Sequence, residues 1–389
     1  SPGDYAARKF PPPSRHDHAR LTPAPGETRP VSTRPDWVST WRALPAPLDG
    51  AKWAYTTRRV DHRRAAGLDP DPGRARNGDL LLCEVAEIGQ HGNLQLANRR
   101  KSELYPGDLI VVCLGARYAP DQFLASARID GPELQLVAGG GVAGCVEAAH
   151  DRMNLATTIR PVALVVDEAG APVNIADHAL PPREMSTAAR VIAVFGSSMN
   201  SGKTTAACAL ARGLSRAGVR TMGLKITGTG AFGDINAFED CGVAALDFTD
   251  VGMVSTFGVP AERVEAGFAT LVATATGRGA EAIVVEVADG LFQEENRQIL
   301  TRTAIRERID AVLFAAPDAL SAAGGQRILD HHGLAPRAIA GTIGRSPLAT
   351  EEARAATGLP VLTREEVCRP ETARALFAPA VAGVSAGGA

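Results

Sequence analysis

The sequence predicts an α/β fold: a doubly wound parallel sheet across residues 187–378, preceded by a β-rich domain, barrel- or sandwich-like, across 36–182. Three observations carry this. Beyond residue 187, apolar runs of about five residues alternate with segments of helical periodicity, as strand–helix–strand units do. Between about 78 and 180 the apolar runs are instead separated by short turns rich in Gly, Pro and Asn. Hydrophobic content is 45% with only 5% aromatic, so the interior is built from Ala, Val, Leu and Ile, which suits strands buried on both faces.

At 389 residues the chain is long enough for two cores. Residues 1–35 are rich in Pro, Arg, His and Ser and are expected to be disordered or extended. Trp37, Trp41 and Trp53 follow and are expected to anchor a short segment to the first domain. Leu80–Val85, Asn93–Leu96, Asp108–Cys113 and Pro161–Val166 read as strands; Gln90–Asn93, Tyr105–Asp108 and Asp167–Pro172 read as turns. Gly139-Gly-Gly-Val-Ala-Gly144 satisfies G-x-G-x-x-G after the strand-like Leu134–Val137, with Asp167 where a ribose-binding acid would stand. Its flanks are β-like and no βαβ repeat follows, so a glycine-rich bend outweighs a dinucleotide site. Leu180-Pro-Pro-Arg-Glu184 reads as a linker. Strands are then expected at 191–195, 219–225, 281–286, 310–315, 337–342 and 359–362, with helices including 203–217, 261–277 and 295–307. The tail 379–389 is small and Gly-rich and is expected to fray.

The run Val191–Thr205 carries the chemistry. Five apolar residues lead into Gly196-Ser-Ser-Met-Asn-Ser-Gly-Lys-Thr204, and a helical pattern follows. A strand, a glycine-bearing turn and a helix start together form a triphosphate cradle. Backbone N–H groups of Gly196, Ser198, Asn200, Ser201, Gly202, Lys203, Thr204 and Thr205 are the expected phosphate contacts. Lys203 would reach the β- and γ-phosphates, and the Thr204 hydroxyl would ligate Mg²⁺. The common spacing G-x-x-x-x-G-K-[ST] requires glycine at 197, where this chain has Ser197; the glycine stands one residue earlier. A structural turn without nucleotide is the competing reading.

This loop resembles that of the P-loop NTPases in the branch holding dethiobiotin synthetase, cobyric acid synthase and the MobB protein. Positions 197–201 hold no lysine, unlike the dimerising ParA/MinD members, which points to the metabolic members. The resemblance covers about 190–365. It implies that Lys225, ending an apolar strand, stabilises the transferring phosphoryl group, and that Thr227 and Thr229 touch substrate. It also implies an aspartate on Mg²⁺ after that strand, with Asp234 the first choice and Asp240 the second. Glu286, ending the apolar run from Ala282, has the Walker B arrangement and matches the family's Mg²⁺ ligand. Asp289 departs from the family's small residues; it is expected to orient water, metal or substrate. The mixed acid and hydroxyl stretch 247–257, with Asp250, is a candidate pocket lining.

The cofactors expected are ATP and Mg²⁺, adenine by default because no Asn-Lys-x-Asp is present. The leading expectation is an ATP-dependent ligase that activates a small-molecule carboxylate or carbamate by phosphoryl transfer. A small-molecule kinase uses the same machinery one step shorter, and a MobB-like nucleotide-dependent adaptor is the non-enzymatic alternative. A net charge of −2 offers no field for nucleic acid, and no apolar run reaches membrane-spanning length, so a cytoplasmic protein with a small-molecule substrate is expected. The resemblance suggests a homodimer. The six cysteines are scattered without metal-ligand spacing and read as free thiols, with Cys241 the one near the site.

Overall fold

Leu80, Leu81, Leu82 and Cys83 are all buried, because the strand that holds them is covered on both faces. Leu81, Cys83 and Val85 enter one core, while Leu80 and Leu82 enter another. These positions come from a computed structural model of the chain, which describes residues 48–379. The expectations for residues 1–35, for Trp37 and Trp41, and for the tail beyond Pro379 lie outside the described residues.

The N-terminal half forms a nine-stranded mixed sheet. Its strands are β1 (Lys52–Trp53), β2 (Gly67–Asp69), β3 (Leu80–Glu87), β6 (Leu109–Leu114), β7 (Arg117–Tyr118), β8 (Phe123–Ser126), β9 (Leu134–Ala138), β10 (Val142–Ala149) and β11 (Thr157–Val166). A separate two-stranded ribbon joins β4 (Asn93–Gln95) to β5 (Lys101–Glu103). Strand β6 pairs with β3 along one edge and with β1 and β10 along the other, so the pairings β6–β3–β11–β9–β10–β6 return on themselves. Gly139–Gly141 is the turn between antiparallel β9 and β10, the glycine-rich bend that its β-like flanks predict. Gly141 has φ +96, and a side chain there would collide with Ala54. Trp53 does anchor the segment before the sheet: its ring stacks on His62 with centroids 3.9 Å apart, and its Nε1 donates to the Leu48 carbonyl.

The C-terminal half contains a six-stranded parallel sheet of order β14-β13-β15-β12-β16-β17. Its strands are β12 (Arg190–Gly196), β13 (Thr221–Lys225), β14 (Ala245–Asp247), β15 (Ala282–Glu286), β16 (Ala311–Ala315) and β17 (Ala338–Ala340). The apolar runs are continuous because both faces are covered. Val191, Ala193 and Phe195 pack with α3 (Ala261–Gly277), while Ile192 and Val194 pack with α1 (Lys203–Arg216). The remaining helices are α2 (Gly233–Asp240), α4 (Glu294–Thr301), α5 (Thr303–Arg306), α6 (Ala319–His331), α7 (Pro347–Thr357), α8 (Arg364–Val367) and α9 (Pro370–Phe377). No helix among the described residues is long and apolar enough to cross a membrane.

Three expectations need correction. The helix expected at 295–307 is broken at Arg302, whose backbone is extended while its guanidinium reaches Glu265 at 2.6 Å and Glu262 at 2.9 Å. The strand expected at 359–362 is a single bridge from Val361 to Ile339. Strand β14 (Ala245–Asp247) was not among the expected strands. The segment read as a linker is also pinned: Leu180 N–H donates to the Asp250 carbonyl and Arg183 N–H to Thr270 Oγ1.

The two sheets dock closely. A Cβ on Gly140 would stand 2.0 Å from the Gly230 carbonyl oxygen, so only glycine allows these backbones to meet. Beside that contact, Phe232 N–H donates to Gln95 Oε1 at 2.7 Å. Farther along, Arg58 pairs with Asp247 at 3.2 Å and with Asp250 at 2.7 Å, and its guanidinium lies over the Tyr55 ring. Asn200, at the crest of the glycine-bearing turn, donates to Asp121 Oδ2 at 2.8 Å.

Candidate functional site

In an open parallel sheet the strand ends, where the chain turns into helices, form one crevice. Strand β15 lies between β12 and β13, and the register sets Lys225 and Val194 on either side of Glu286. The turn after β12 and helix α1 close the crevice on one side. A cavity of about 400 Å³ results, lined by Asn200, Gly202, Lys203, Thr204, Lys225, Asp234, Glu286 and Asp289 among others.

The turn needs its glycines. A Cβ on Gly196 would stand 2.4 Å from Ser201 Oγ and 2.6 Å from Lys203 Cγ, so the glycine one residue early makes room for the lysine stem. Gly202 caps α1 at φ +95 and supplies no side-chain oxygen. The N–H groups of Lys203, Thr204 and Thr205 thus face the cavity end of α1 without a capping side chain, where the helix dipole favours an anion. Asn200 and Asp289, both at φ +61, are two of the three non-glycine left-handed residues among the described residues, and both line this cavity. Such backbone persists only where its surroundings enforce it.

The charged groups are interlocked. Thr204 Oγ1 lies 2.7 Å from Glu286 Oε1 and 3.0 Å from Asp234 Oδ1. A hydroxyl has one proton to donate, so two carboxylates at that range leave one interaction unserved. Asp234 also pairs with the Lys225 ammonium. Glu286 Oε2 is buried without any partner. Burial, then Asp234, pushes the Glu286 carboxyl up to about 7, against the lowering pull of Lys225. Burial alone would raise Asp234, but Lys225 outweighs it and holds that carboxyl below its ordinary value. Burial opposes the Lys225 charge, yet Asp234 and Glu286 overcome it and raise its pKa. Lys203 is lowered by burial, and its Nζ donates to the Ser198 carbonyl at 2.6 Å. Burial raises Asp289, with Lys225 and Lys203 opposing.

No protein-family model matches the chain, and no curated protein matches it.

The structure brings together Lys203, Thr204, Lys225, Asp234, Glu286 and Asp289, as their positions at strand and helix ends predict. Asp240 is exposed and apart from them. Ser198 contributes its carbonyl to Lys203, while its own hydroxyl donates to Met199 O. Ser201 is fully buried, with its hydroxyl unpartnered and its carbonyl accepting from Thr342 N–H. Three substrate expectations are not met in this cavity. Thr227 is buried and its hydroxyl accepts from Ala288 N–H, which pins the turn after β13. Thr229 lines a different cavity, between the two sheets. Asp250 is consumed by Arg58, Arg59 and the cap of the short helical turn after Asp247. Sequence reasoning missed Asn200's partner Asp121 and the neighbouring cavity of about 250 Å³, bounded by Gly202, Thr205, Thr342, Arg345, Thr363 and Glu365. No sequence motif marks either.

Among the described residues no cluster of three His, Cys, Asp or Glu could cage a metal unaided. Mg²⁺ ordinarily takes one or two carboxylates and completes its shell with phosphate and water. The donors fit: the Thr204 hydroxyl and the Asp234 and Glu286 carboxylates, with one oxygen of Glu286 buried and unpartnered.

Proposed function

We propose that this crevice binds Mg-ATP and transfers its γ-phosphoryl group to a small-molecule carboxylate or carbamate, which an amine then attacks. The observation that carries the reading is the Thr204 hydroxyl held between Asp234 and Glu286 at the start of α1, with Lys203 and Lys225 beside it. Thr204, Asp234 and Glu286 stand where the P-loop NTPase resemblance expects its Mg²⁺ ligands, which supports the reading. Thr204, Asp234 and Glu286 would hold Mg²⁺, which supplies charge neutralisation to the phosphates.

The chain's own groups supply the rest. The free N–H groups at the α1 start bind phosphate oxygens. Lys203, now resting on the Ser198 carbonyl, and Lys225, resting on Asp234, provide positive charge for the phosphoryl group in transit. The cavity bounded by Thr342, Arg345 and Thr363 shares Gly202, Thr205 and Thr342 with the phosphate cavity, so it offers an adjoining place for the nucleoside. The closed circuit of strands in the N-terminal half supports its description as a small barrel. Transfer to a carboxylate oxygen gives an acyl phosphate and ADP; attack by an amine then releases phosphate and forms an amide bond.

The test is product analysis with Mg-ATP, candidate acids and an amine. ADP, free phosphate and a new amide in equal amounts support the ligase; a stable phosphorylated product would convert it to a kinase. Slow nucleotide hydrolysis that no acceptor changes, but that a protein accelerates, would overturn both.

A further inference from the structure

Between the two sheets lies a second polar cavity, of about 320 Å³, whose walls include Arg117, Lys101, His91, Gln95, Gln122 and Thr229. Among the described residues no carboxylate lines it. Arg117 is only 8% exposed. Its Nη1 donates to the Val137 carbonyl, and its Nε makes no hydrogen bond. The other deeply buried arginines are ion-paired, Arg58 with Asp247 and Asp250, and Arg308 with Asp310. Arg117 has no such partner among the described residues. An unpaired buried charge is strongly destabilising, so a cation kept in this way is kept for an anion that arrives from outside.

The cavity's position says what the anion belongs to. Thr229 stands four residues beyond Lys225 on the turn that leaves the phosphate cavity. Asp289, in the wall of that cavity, is near enough for its charge to favour the Arg117 cation, against burial that brings the guanidinium down to about 10. His91 is held neutral by burial, its pKa down to about 4, and its Nε2 shares the Val137 carbonyl with Arg117, so the positive charge is left to Arg117 and Lys101.

We infer that this cavity is the acceptor site and takes a small molecule with a carboxylate anchor, gripped by Arg117, in addition to the group that is phosphorylated. The inference rests on the phosphoryl-transfer reading for the word acceptor, and on Arg117, with Lys101 lining the same cavity, for the anchor. A bidentate guanidinium–carboxylate pair satisfies the unused donors and neutralises the buried charge. The N-terminal sheet thereby gains a role, since it supplies the anchor and the parallel sheet supplies the phosphates' contacts.

The experiment titrates the full chain by calorimetry with succinate, glutarate, adipate and pimelate, without nucleotide. At least one binds the wild type, and Arg117→Gln weakens it at least tenfold, while Arg117→Lys restores part of the loss. Arg117→Gln also retains binding of a non-hydrolysable Mg-ATP analogue within twofold, and its Tm equals or exceeds that of the wild type, because a buried unpaired charge has been removed. If Arg117→Gln does not fold, the exposed Lys101→Glu is the substitute and is expected to weaken the same acid at least threefold. The inference is overturned if none of the four acids binds at millimolar concentration, or if the substitutions leave their affinity unchanged. Nucleotide binding with no acid binding sinks the anchor and spares the phosphoryl-transfer reading; acid binding with no nucleotide binding does the reverse.

Discussion

Tyr55 Oη donates to Asp247 Oδ2 across 2.8 Å, joining the segment after β1 to the edge strand of the parallel sheet. Both side chains are buried. Burial, then the Asp247 charge, raises the tyrosine pKa, so the phenol stays protonated as the donor. Asp247 keeps Arg58 and Thr249 as further partners. Tyr55→Phe therefore removes one hydrogen bond to a buried carboxylate and is expected to cost about 1–2 kcal/mol. Urea denaturation measures this, and an unchanged midpoint would show that the bond contributes nothing to the docking.

Gly140→Ala tests the same docking from the other end of the seam. Its Cβ would stand 2.0 Å from a carbonyl oxygen, a collision that no rotamer relieves. Overpacking of this kind costs roughly 1–3 kcal/mol. Gly139→Ala, which meets its nearest atom at 3.5 Å, is the control and is expected to fall within about 1 kcal/mol of the wild type. Equal losses in the two variants would contradict the close backbone approach.

Lys203→Ala is expected to abolish ATP turnover and leave the fold intact. The side chain lies against the glycine-bearing turn and makes one hydrogen bond, to Ser198 O. Its charge serves the phosphates in the proposed reaction. Turnover by the variant at the parent rate would remove Lys203 from the site.

Glu286→Gln is expected to lose Mg²⁺-dependent turnover while largely retaining nucleotide binding. The same variant has a pH signature in the metal-free protein. The folded carboxyl has its pKa raised to about 7 from an ordinary 4.5, so the folded state binds more protons between these values. Stability contributed by this group is thus full at low pH and is lost as pH rises through that window. In chelator, the stability of the wild type relative to Glu286→Gln should fall from pH 4.5 to pH 7. A flat difference would contradict the burial argument.

Much of the parallel sheet was legible because each strand is an apolar run buried on two faces, as in Val191–Phe195 and Ala282–Val285. Strand β14 was not, although its three residues are no fewer than those of β17, which the sequence places at 337–342. Lys203, Thr204, Lys225 and Glu286 were legible because strand and helix ends converge by topology. Asp250 misled because an acid among hydroxyls looks the same in sequence whether it faces a ligand or caps a turn beside Arg58. The seam was illegible: Tyr55 and Asp247 are 192 residues apart, and nothing local to either records the other. Arg117 carries no motif, and its isolation is visible only once its neighbours are known.

The most direct measurement is a crystal structure of the protein grown with Mg²⁺ and a non-hydrolysable ATP analogue. The account predicts phosphate density against the N–H groups of Gly202–Thr205, with a metal ion on Thr204 and Glu286 and Lys203 released from the Ser198 carbonyl. Crystals at saturating analogue that show this crevice without phosphate density, and Lys203 still on Ser198, would contradict it.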